Sequence, residues 1–211
     1  MDKKMVSNLV VSTKLNKAYD VMLKHVAEAH IHWDYTCQIY TLLKRQECSG
    51  NQCLYFFIDT HTAHQYYMAQ CLMKLYDKGP KPLSIANFLK ELKNELVTVN
   101  HIDTQSYINL INGDLKKLND ETFNKILNAL SEIRNEKYSH IDRKNATGQW
   151  PLDSYKYSLT VTEQDQIFLL DNAREIISQY ENLFNKKFEL YLHNPTITGD
   201  ILKSLELEFF S

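Results

Sequence analysis

The residues best able to do chemistry lie in one short segment, Arg-Asn-Glu-Lys-Tyr-Ser-His, at positions 134–140. Arg134 stands where an amphipathic helix would place an apolar residue. An arginine is almost never fully buried unless it is paired, because removing its charge from water is costly. The face that carries Arg134 must therefore meet an anionic or polar group, and His140 follows within two turns. The segment is a candidate site, or one side of a site.

This interpretation rests on a helix that we predict over Asp120–Ile141. Its apolar residues recur at three- and four-residue steps, as a core-facing stripe requires: Phe123, Ile126, Leu127, Leu130 and Ile133. At about 100° per residue, Arg134 falls roughly 20° from the first residue of that stripe.

The same helix geometry separates the two candidate groups. Arg134 and His140 point about 120° apart and lie about 9 Å apart along the axis, so one straight helix cannot readily aim both at one phosphate. Two copies that face each other across a two-fold axis can do so. A local distortion at the helix end is the other solution.

The spacing resembles the signature of the HEPN superfamily. That signature is an arginine, usually followed by a polar residue (often asparagine), and then a histidine after a gap of about four to six residues. Here Asn135 follows the arginine, and five residues separate Arg134 from His140. The flanking sequence is similar to the abortive-infection AbiU-like branch in three features. Trp33 lies in a long first helix, and a helix end at 72–77 precedes the segment 84–89. Residues 140–142 close the motif. The resemblance covers roughly 14–188.

The resemblance implies a metal-independent endoribonuclease with a toxin or antiviral-defence role. Such enzymes usually build a composite site from two motifs in a homodimer. His140 would take the proton from a ribose 2′-OH, which then attacks the adjacent phosphorus. Arg134 would stabilise the charge that develops on the phosphate, and Asn135 would orient the phosphate or the histidine. This mechanism needs no cofactor and no metal.

The charge of the chain restricts how it can hold RNA. A formal net charge of −2 argues against a general nucleic-acid binder, which usually has a basic domain. We therefore expect RNA contacts to be local to the motif. The side chains placed to make them are Lys137, Tyr138, Ser139, Arg143 and Lys144.

Other interpretations stay open. Arg134 can pair with a buried acid of a neighbouring helix while His140 caps the helix C-terminus, where a cation is favoured. In that case the helix face that carries Arg134 and His140 would belong to a non-catalytic dimeric module that binds RNA or a protein. An antitoxin protein is a further partner that the resemblance implies. Asp142 stands where some HEPN toxins carry a tyrosine that a nucleotidyltransferase antitoxin modifies, which excludes adenylylation at this position.

A second group of residues has metal-ligand chemistry. His61 and His64 are three residues apart, share a helix face and could bind one metal ion. Asp59 points elsewhere, and no further ligand motif reinforces the pair, so core or interface histidines are the favoured interpretation. A histidine-based metallohydrolase is a third reading of the chain, and we predict no metal site.

Composition favours an all-α protein. Only 5 glycines and 4 prolines occur in 211 residues, which favours long helices with few tight turns. We predict one HEPN-like helical bundle over 1–211, with its core at about 14–188 and a C-terminal appendage at 189–211. Cys48 and Cys53 flank a glycine loop and could pair, although reduced thiols are favoured.

Apolar periodicity and capping residues place the helices. We predict a long first helix capped by Ser12, a break at 79–82, and a long loop over 142–161 after the motif helix. The apolar face of the first helix would comprise Ala18, Val21, Met22, His25, Val26 and Ala29. The predicted helices run from Ser12 to about Leu43, Gln52–Tyr76, Ser84–Leu96, Thr104–Leu118, Asp120–Ile141, and from the Thr162 cap through Glu163 to about Phe188.

No targeting or membrane segment is predicted. The first residues are charged, and the longest apolar run, at 53–58, is too short to span a bilayer. We expect a cytoplasmic protein with no membrane partner.

Overall fold

A computed structural model describes residues 11–44, 51–79, 83–99, 104–131 and 161–192, and these ranges contain helices and no strand. The predicted all-α class is therefore confirmed. The helices are α1 Thr13–Lys44, α2 Asn51–Tyr76, α3 Ile85–Val99, α4 Thr104–Leu118, α5 over residues 121–131, α6 Glu163–Ser178 and the short α7 Glu181–Phe184, followed by a 3-10 helix at Phe188–Tyr191.

Serine side chains begin two of these helices as predicted. The backbone N–H of Leu15 donates to Ser12 Oγ at 3.4 Å, and that of Asn87 donates to Ser84 Oγ at 3.4 Å. Each bond satisfies a backbone donor that the first turn leaves free. The predicted starts of α1 and α3 are confirmed.

The two longest helices form an antiparallel pair around which the rest of the chain packs. Contacts join Tyr40 to His61, His32 to His64 and Glu28 to Cys71, so α2 runs back along α1. α1 also packs against α3, α6 and the 3-10 helix. The pair is the frame of the bundle.

The core face of α1 differs from the predicted face at Val21 and at His25, which is only partly buried. Val21 is 41% exposed, so its placement in the core was wrong. Tyr19 is fully buried instead, its ring stacked on Phe184 at 4.2 Å and its hydroxyl donating to the carbonyl of Ile177 at 2.8 Å. The tyrosine reaches the core because its one polar group has a partner there.

The last long helix is shorter than predicted. α6 ends at Ser178 rather than near Phe188, and the chain then forms α7 and the 3-10 helix. Asn185 has a left-handed backbone, with φ of 52°, which an α-helix cannot contain. The Glu181 carboxylate accepts the Phe188 N–H at 2.7 Å and fixes the turn. Apolar spacing did not reveal the break, because it continues at three- and four-residue steps through Phe184.

Some predictions lie outside the described residues. They are the course of the motif helix beyond residue 131, the loop up to residue 160, the pairing of Cys48 with Cys53, and residues 193–211. In the described part of the chain, no helix has both the length and the apolar character needed to cross a bilayer.

Candidate functional site

The predicted site residues follow α5 in the sequence and lie outside the described residues, since the described part of this segment ends at residue 131. They are Arg134, Asn135, Lys137, Tyr138, Ser139, His140, Arg143 and Lys144. The structure describes the helix that leads to them and the surface beside it.

The start of α5 is confirmed. Asp120 caps the helix, since its Oδ1 accepts the backbone N–H of Thr122 at 2.9 Å and that of Phe123 at 3.4 Å. A carboxylate at this position satisfies free donors and suits the positive end of the helix dipole.

The apolar register of α5 is also confirmed as far as residue 131. Phe123, Leu127 and Leu130 are all buried, at steps of four and three residues. The next stripe position by the same spacing is Arg134, four residues after Leu130. The described part of the helix thus has a core-facing stripe whose spacing, continued along the sequence, includes Arg134.

Aromatic contacts hold α5 against two other helices. The Phe123 ring meets the Tyr76 ring edge-on at 5.0 Å and the Phe168 ring at 5.9 Å. Tyr76 is in turn fixed by its hydroxyl, which donates to the Leu169 carbonyl at 2.6 Å. The first turn of α5 is therefore locked to the end of α2 and to α6.

A hollow of about 210 Å³ opens beside the last described turn of α5. Asn128 and Ser131 line it from α5, and Asp77 and Lys78 line it from the end of α2. Lys78 is exposed, and its Nζ donates to Asn124 Oδ1 at 2.5 Å. The hollow combines the Lys78 cation with amide and hydroxyl groups, which suit a phosphate ester, while the Asp77 carboxylate accepts the Gly79 N–H at 2.7 Å.

A second hollow, of about 190 Å³, continues the first one between α3, α4 and α5. Tyr76, Lys78 and Leu127 line both hollows. The second adds the exposed Lys90 and the amide of Asn87. Together they form a groove, which we call the lysine groove, with Lys78 and Lys90 along its length.

The two histidines on α2, His61 and His64, contact different residues of α1. His64 Nδ1 lies 2.8 Å from Nδ1 of His32 on α1, whereas His61 lies beside the Tyr40 ring. The His32 ring also stacks on Tyr67, with centroids 5.2 Å apart. Burial lowers the pKa of both His32 and His64, and the neighbouring His32 and His61 lower the pKa of His64 further. These contacts fit interface histidines between α1 and α2.

A different cluster was missed by sequence reasoning. His25 and Glu28 on α1 meet Cys71 on α2, and their three ligand atoms lie within 4.8 Å of one another. The apolar spacing of α1 places His25 on the predicted core face, and nothing in the sequence links that face to Cys71. The spacing of three residues on α1 was the available signal, but the thiol stands 43 residues along the chain from Glu28. Burial, assisted by the Glu28 carboxylate, raises the pKa of the Cys71 thiol to about 11.

Comparison with known proteins gives one family. A family model of the HEPN class, described as AbiU2, matches residues 12–200, which include the Arg134–His140 motif. No curated protein and no solved structure matches the chain.

Proposed function

The chain belongs to the AbiU2 family of HEPN proteins, and on that premise we propose that it is a metal-independent endoribonuclease with an abortive-infection or toxin role. The observation that carries the proposal is the family match over a segment in which Arg134 and His140 both stand at their expected spacing. The buried register of α5 supports it, because the stripe of Phe123, Leu127 and Leu130 leads to Arg134.

The proposed reaction has two proton transfers, one from the attacking 2′-OH and one to the leaving 5′ oxygen. Neutral His140 removes the proton from the ribose 2′-OH, and the 2′ oxygen attacks the adjacent phosphorus. The bond from phosphorus to the 5′ oxygen breaks, and that oxygen takes up a proton from the protonated His140, which returns to its neutral form. The products are a 2′,3′-cyclic phosphate and a 5′-OH. Because the nucleophile is the 2′-OH, DNA is not a substrate.

Arg134 and Asn135 act on the phosphate in this mechanism. The planar guanidinium of Arg134 binds two phosphate oxygens and stabilises the charge that grows as the 2′ oxygen attacks. Asn135 orients the phosphate or the histidine ring. The acid–base step is worth roughly 10²–10⁴-fold in rate.

We propose a homodimer as the active form. On one straight helix Arg134 and His140 point about 120° apart, whereas an isologous interface brings one motif from each copy to the same place. An antitoxin protein remains a proposed partner that would bind near this interface.

The lysine groove is the proposed path of the RNA away from the motif. Lys78 and Lys90 supply exposed positive charge beside α5 on a chain whose net charge is −2. Local contacts from two lysines suit a nuclease that holds RNA only near its site. Lys137, Tyr138, Ser139, Arg143 and Lys144 are the proposed contacts on the motif side.

The test is cleavage of labelled single-stranded RNAs in EDTA by the purified full chain and by Arg134→Ala, Asn135→Ala and His140→Ala. We expect wild type to cut, the arginine and histidine variants to lose at least about 100-fold, and the asparagine variant to lose less. Matched controls are Lys125→Ala, an exposed cation on α5, and His61→Ala, a histidine outside the motif. Both controls should cut as wild type does.

Two outcomes would replace the proposal. A folded, dimeric wild type that binds and protects RNA without cutting it would establish the non-catalytic binding module. Cutting that survives both Arg134→Ala and His140→Ala would make the motif structural.

A further inference from the structure

Three metal-ligating side chains converge on the seam between α1 and α2. His25 Nδ1 lies 3.1 Å from Glu28 Oε2, and that oxygen lies 4.0 Å from Cys71 Sγ. His25 and Glu28 share one face of α1 because they are three residues apart, and Cys71 faces them from α2. In the described part of the chain, no other His, Cys, Asp or Glu side chains meet in a group of three.

These separations are close to those of a tetrahedral zinc site. Bond lengths of about 2.0–2.3 Å to nitrogen, oxygen and sulfur place neighbouring ligand atoms roughly 3.3–3.6 Å apart. The separations of 3.1 Å and 4.0 Å need shifts of a few tenths of an ångström, and His25 Nδ1 and Cys71 Sγ, which lie within 4.8 Å of each other, need to approach by at most roughly 1.3 Å. Half-exposed His25 and Glu28 can move that far, whereas Cys71 is buried and provides the fixed point.

The charges in this cluster suit a divalent ion. A thiolate and a carboxylate together cancel the two positive charges of the ion, so the loaded site carries no net charge in a partly buried place. Without an ion, Glu28 is balanced by Lys24, whose Nζ lies 3.9 Å from Oε1. Lys24 is exposed and can turn to water when the ion binds.

The ligand types select the metal. A thiolate and an imidazole favour zinc over magnesium or calcium, which prefer oxygen ligands alone. Three protein ligands leave the fourth tetrahedral position to water, and the exposed sides of His25 and Glu28 give water access to it.

We propose that His25, Glu28 and Cys71 form a zinc site that joins α1 to α2. His25 binds through Nδ1 and keeps its proton on Nε2, Glu28 binds through one oxygen, and Cys71 releases its thiol proton to water as the zinc–sulfur bond forms. The site is separate from the proposed nuclease motif, so cleavage in EDTA and zinc binding are independent tests.

The experiment is a titration of the chelator-treated full chain with Zn²⁺ in competition with a chromophoric chelator. Wild type should bind one ion per chain. Cys71→Ser, His25→Gln and Glu28→Gln should each weaken binding by at least about 100-fold, which is the upper range for loss of an outer-shell partner. Cys37→Ser and His61→Gln change the same residue types elsewhere on α1 and α2 and should bind as wild type does.

Cobalt identifies the sulfur ligand directly. Co²⁺ in the same site should give a thiolate-to-metal charge-transfer band with wild type and with Cys37→Ser, and no band with Cys71→Ser. Thermal unfolding of each variant without metal checks that it is folded. The half-exposed Glu28→Gln variant keeps the test decisive if Cys71→Ser fails to fold.

Several results would overturn the proposal. One is a folded wild type that binds no stoichiometric zinc. Another is zinc affinity unchanged in both Glu28→Gln and His25→Gln. Binding that survives these substitutions but is lost in His64→Ala would place the ion on the His32–His64 pair instead.

Discussion

Two tyrosine–aspartate pairs join distant parts of the chain, and water reaches them to different degrees. The Tyr180 hydroxyl donates to Asp114 Oδ2 at 2.8 Å, and Asp114 is only 2% exposed. The Tyr191 hydroxyl donates to Asp20 Oδ1 at 2.6 Å, but Lys186 also pairs with that half-exposed carboxylate. The Asp114 carboxyl group has Tyr180 and the Gln179 side chain as hydrogen-bond partners and is nearly inaccessible to water, whereas the Asp20 carboxylate has Lys186 and water as further partners.

Tyr180→Phe should therefore cost more stability than Tyr191→Phe. We expect Tyr180→Phe to lower the free energy of unfolding by about 1–3 kcal/mol, because it removes one of the hydrogen bonds of a carboxyl group that water barely reaches. Tyr191→Phe should cost less than about 1 kcal/mol, since Lys186 and water remain. Urea unfolding of both variants measures the difference. Equal losses would contradict the account of Asp114.

His30 makes stability depend on pH. Its Nε2 is buried with no hydrogen-bond partner among the described residues, and its ring meets Phe188 at 5.5 Å. Burial, with a smaller effect of the Arg174 guanidinium, lowers the pKa of His30 to about 4. The unfolded chain binds this proton near pH 6.5 and the folded chain does not. The stabilisation is thus complete above about pH 6.5 and is lost as the pH falls toward 4.

His30→Phe should flatten this dependence. We expect the wild-type free energy of unfolding to fall between pH 6.5 and pH 4 by an amount on the order of 2 kcal/mol more than that of the variant. Urea unfolding at a series of pH values measures both profiles. Parallel profiles would show that His30 does not titrate with folding.

The sequence predicts which side chains lie close together when both side chains belong to one helix. The i,i+3 spacing of His25 and Glu28 is visible in the sequence, and so are the serine caps. The arrival of Cys71 beside them depends on the alignment of α2 along α1, which a single sequence does not specify. The same reason explains why His64 meets His32 rather than His61.

At the scale of elements, the start of α6 is held by a reciprocal cap. The Asp165 N–H donates to Thr162 Oγ1 at 3.1 Å, and the Thr162 N–H donates to Asp165 Oδ2 at 2.8 Å. Both donors would otherwise be unpaired at the helix end.

Thr162→Ala should lower the free energy of unfolding by about 1 kcal/mol, because one donor of the first turn loses its acceptor. Thr122→Ala, at an exposed threonine in the first turn of α5, is the matched control and should cost less. Thermal unfolding compares the two. A larger loss for the control would be inconsistent with the cap.

Helix starts were predicted better than helix ends, and α6 shows why. Caps at Ser12, Ser84 and Thr162 are local and readable in the sequence. The end of α6 depends on the left-handed Asn185 and on Glu181 accepting the Phe188 N–H, while the apolar spacing continues unchanged. Periodicity therefore predicted one helix where the chain forms α6, the short α7 and the 3-10 helix.

For the whole molecule, a composite site makes a prediction about mixed dimers. When Arg134→Ala and His140→Ala chains are exchanged into mixed dimers, one intact arginine and one intact histidine meet at one of the two sites. We expect about a quarter of wild-type cleavage, because half of the dimers are mixed and each has one working site. Each variant alone stays inactive. A mixture as inactive as its components would place the site within one chain.

The all-α class followed from composition and periodicity, and the membership of the AbiU2 family agrees with the resemblance of the Arg134–His140 motif. The lysine groove was not predictable, because it joins residues from α2, α3, α4 and α5. Nothing in the sequence distinguishes Lys78 and Lys90 from other lysines, and only the fold brings them beside α5.

The chemistry of the cut RNA ends distinguishes attack by the 2′-OH from attack by water. A single-stranded RNA should be incubated in EDTA with wild type and with His140→Ala, beside the same RNA carrying one 2′-deoxy nucleotide at a cleavage position. If the 2′-OH is the nucleophile and His140 its base, we expect 2′,3′-cyclic phosphate ends by mass spectrometry, no cleavage at the deoxy position, and no products with His140→Ala. Products that end in a 3′-OH and a 5′-phosphate, or cutting at the deoxy position, would contradict this mechanism.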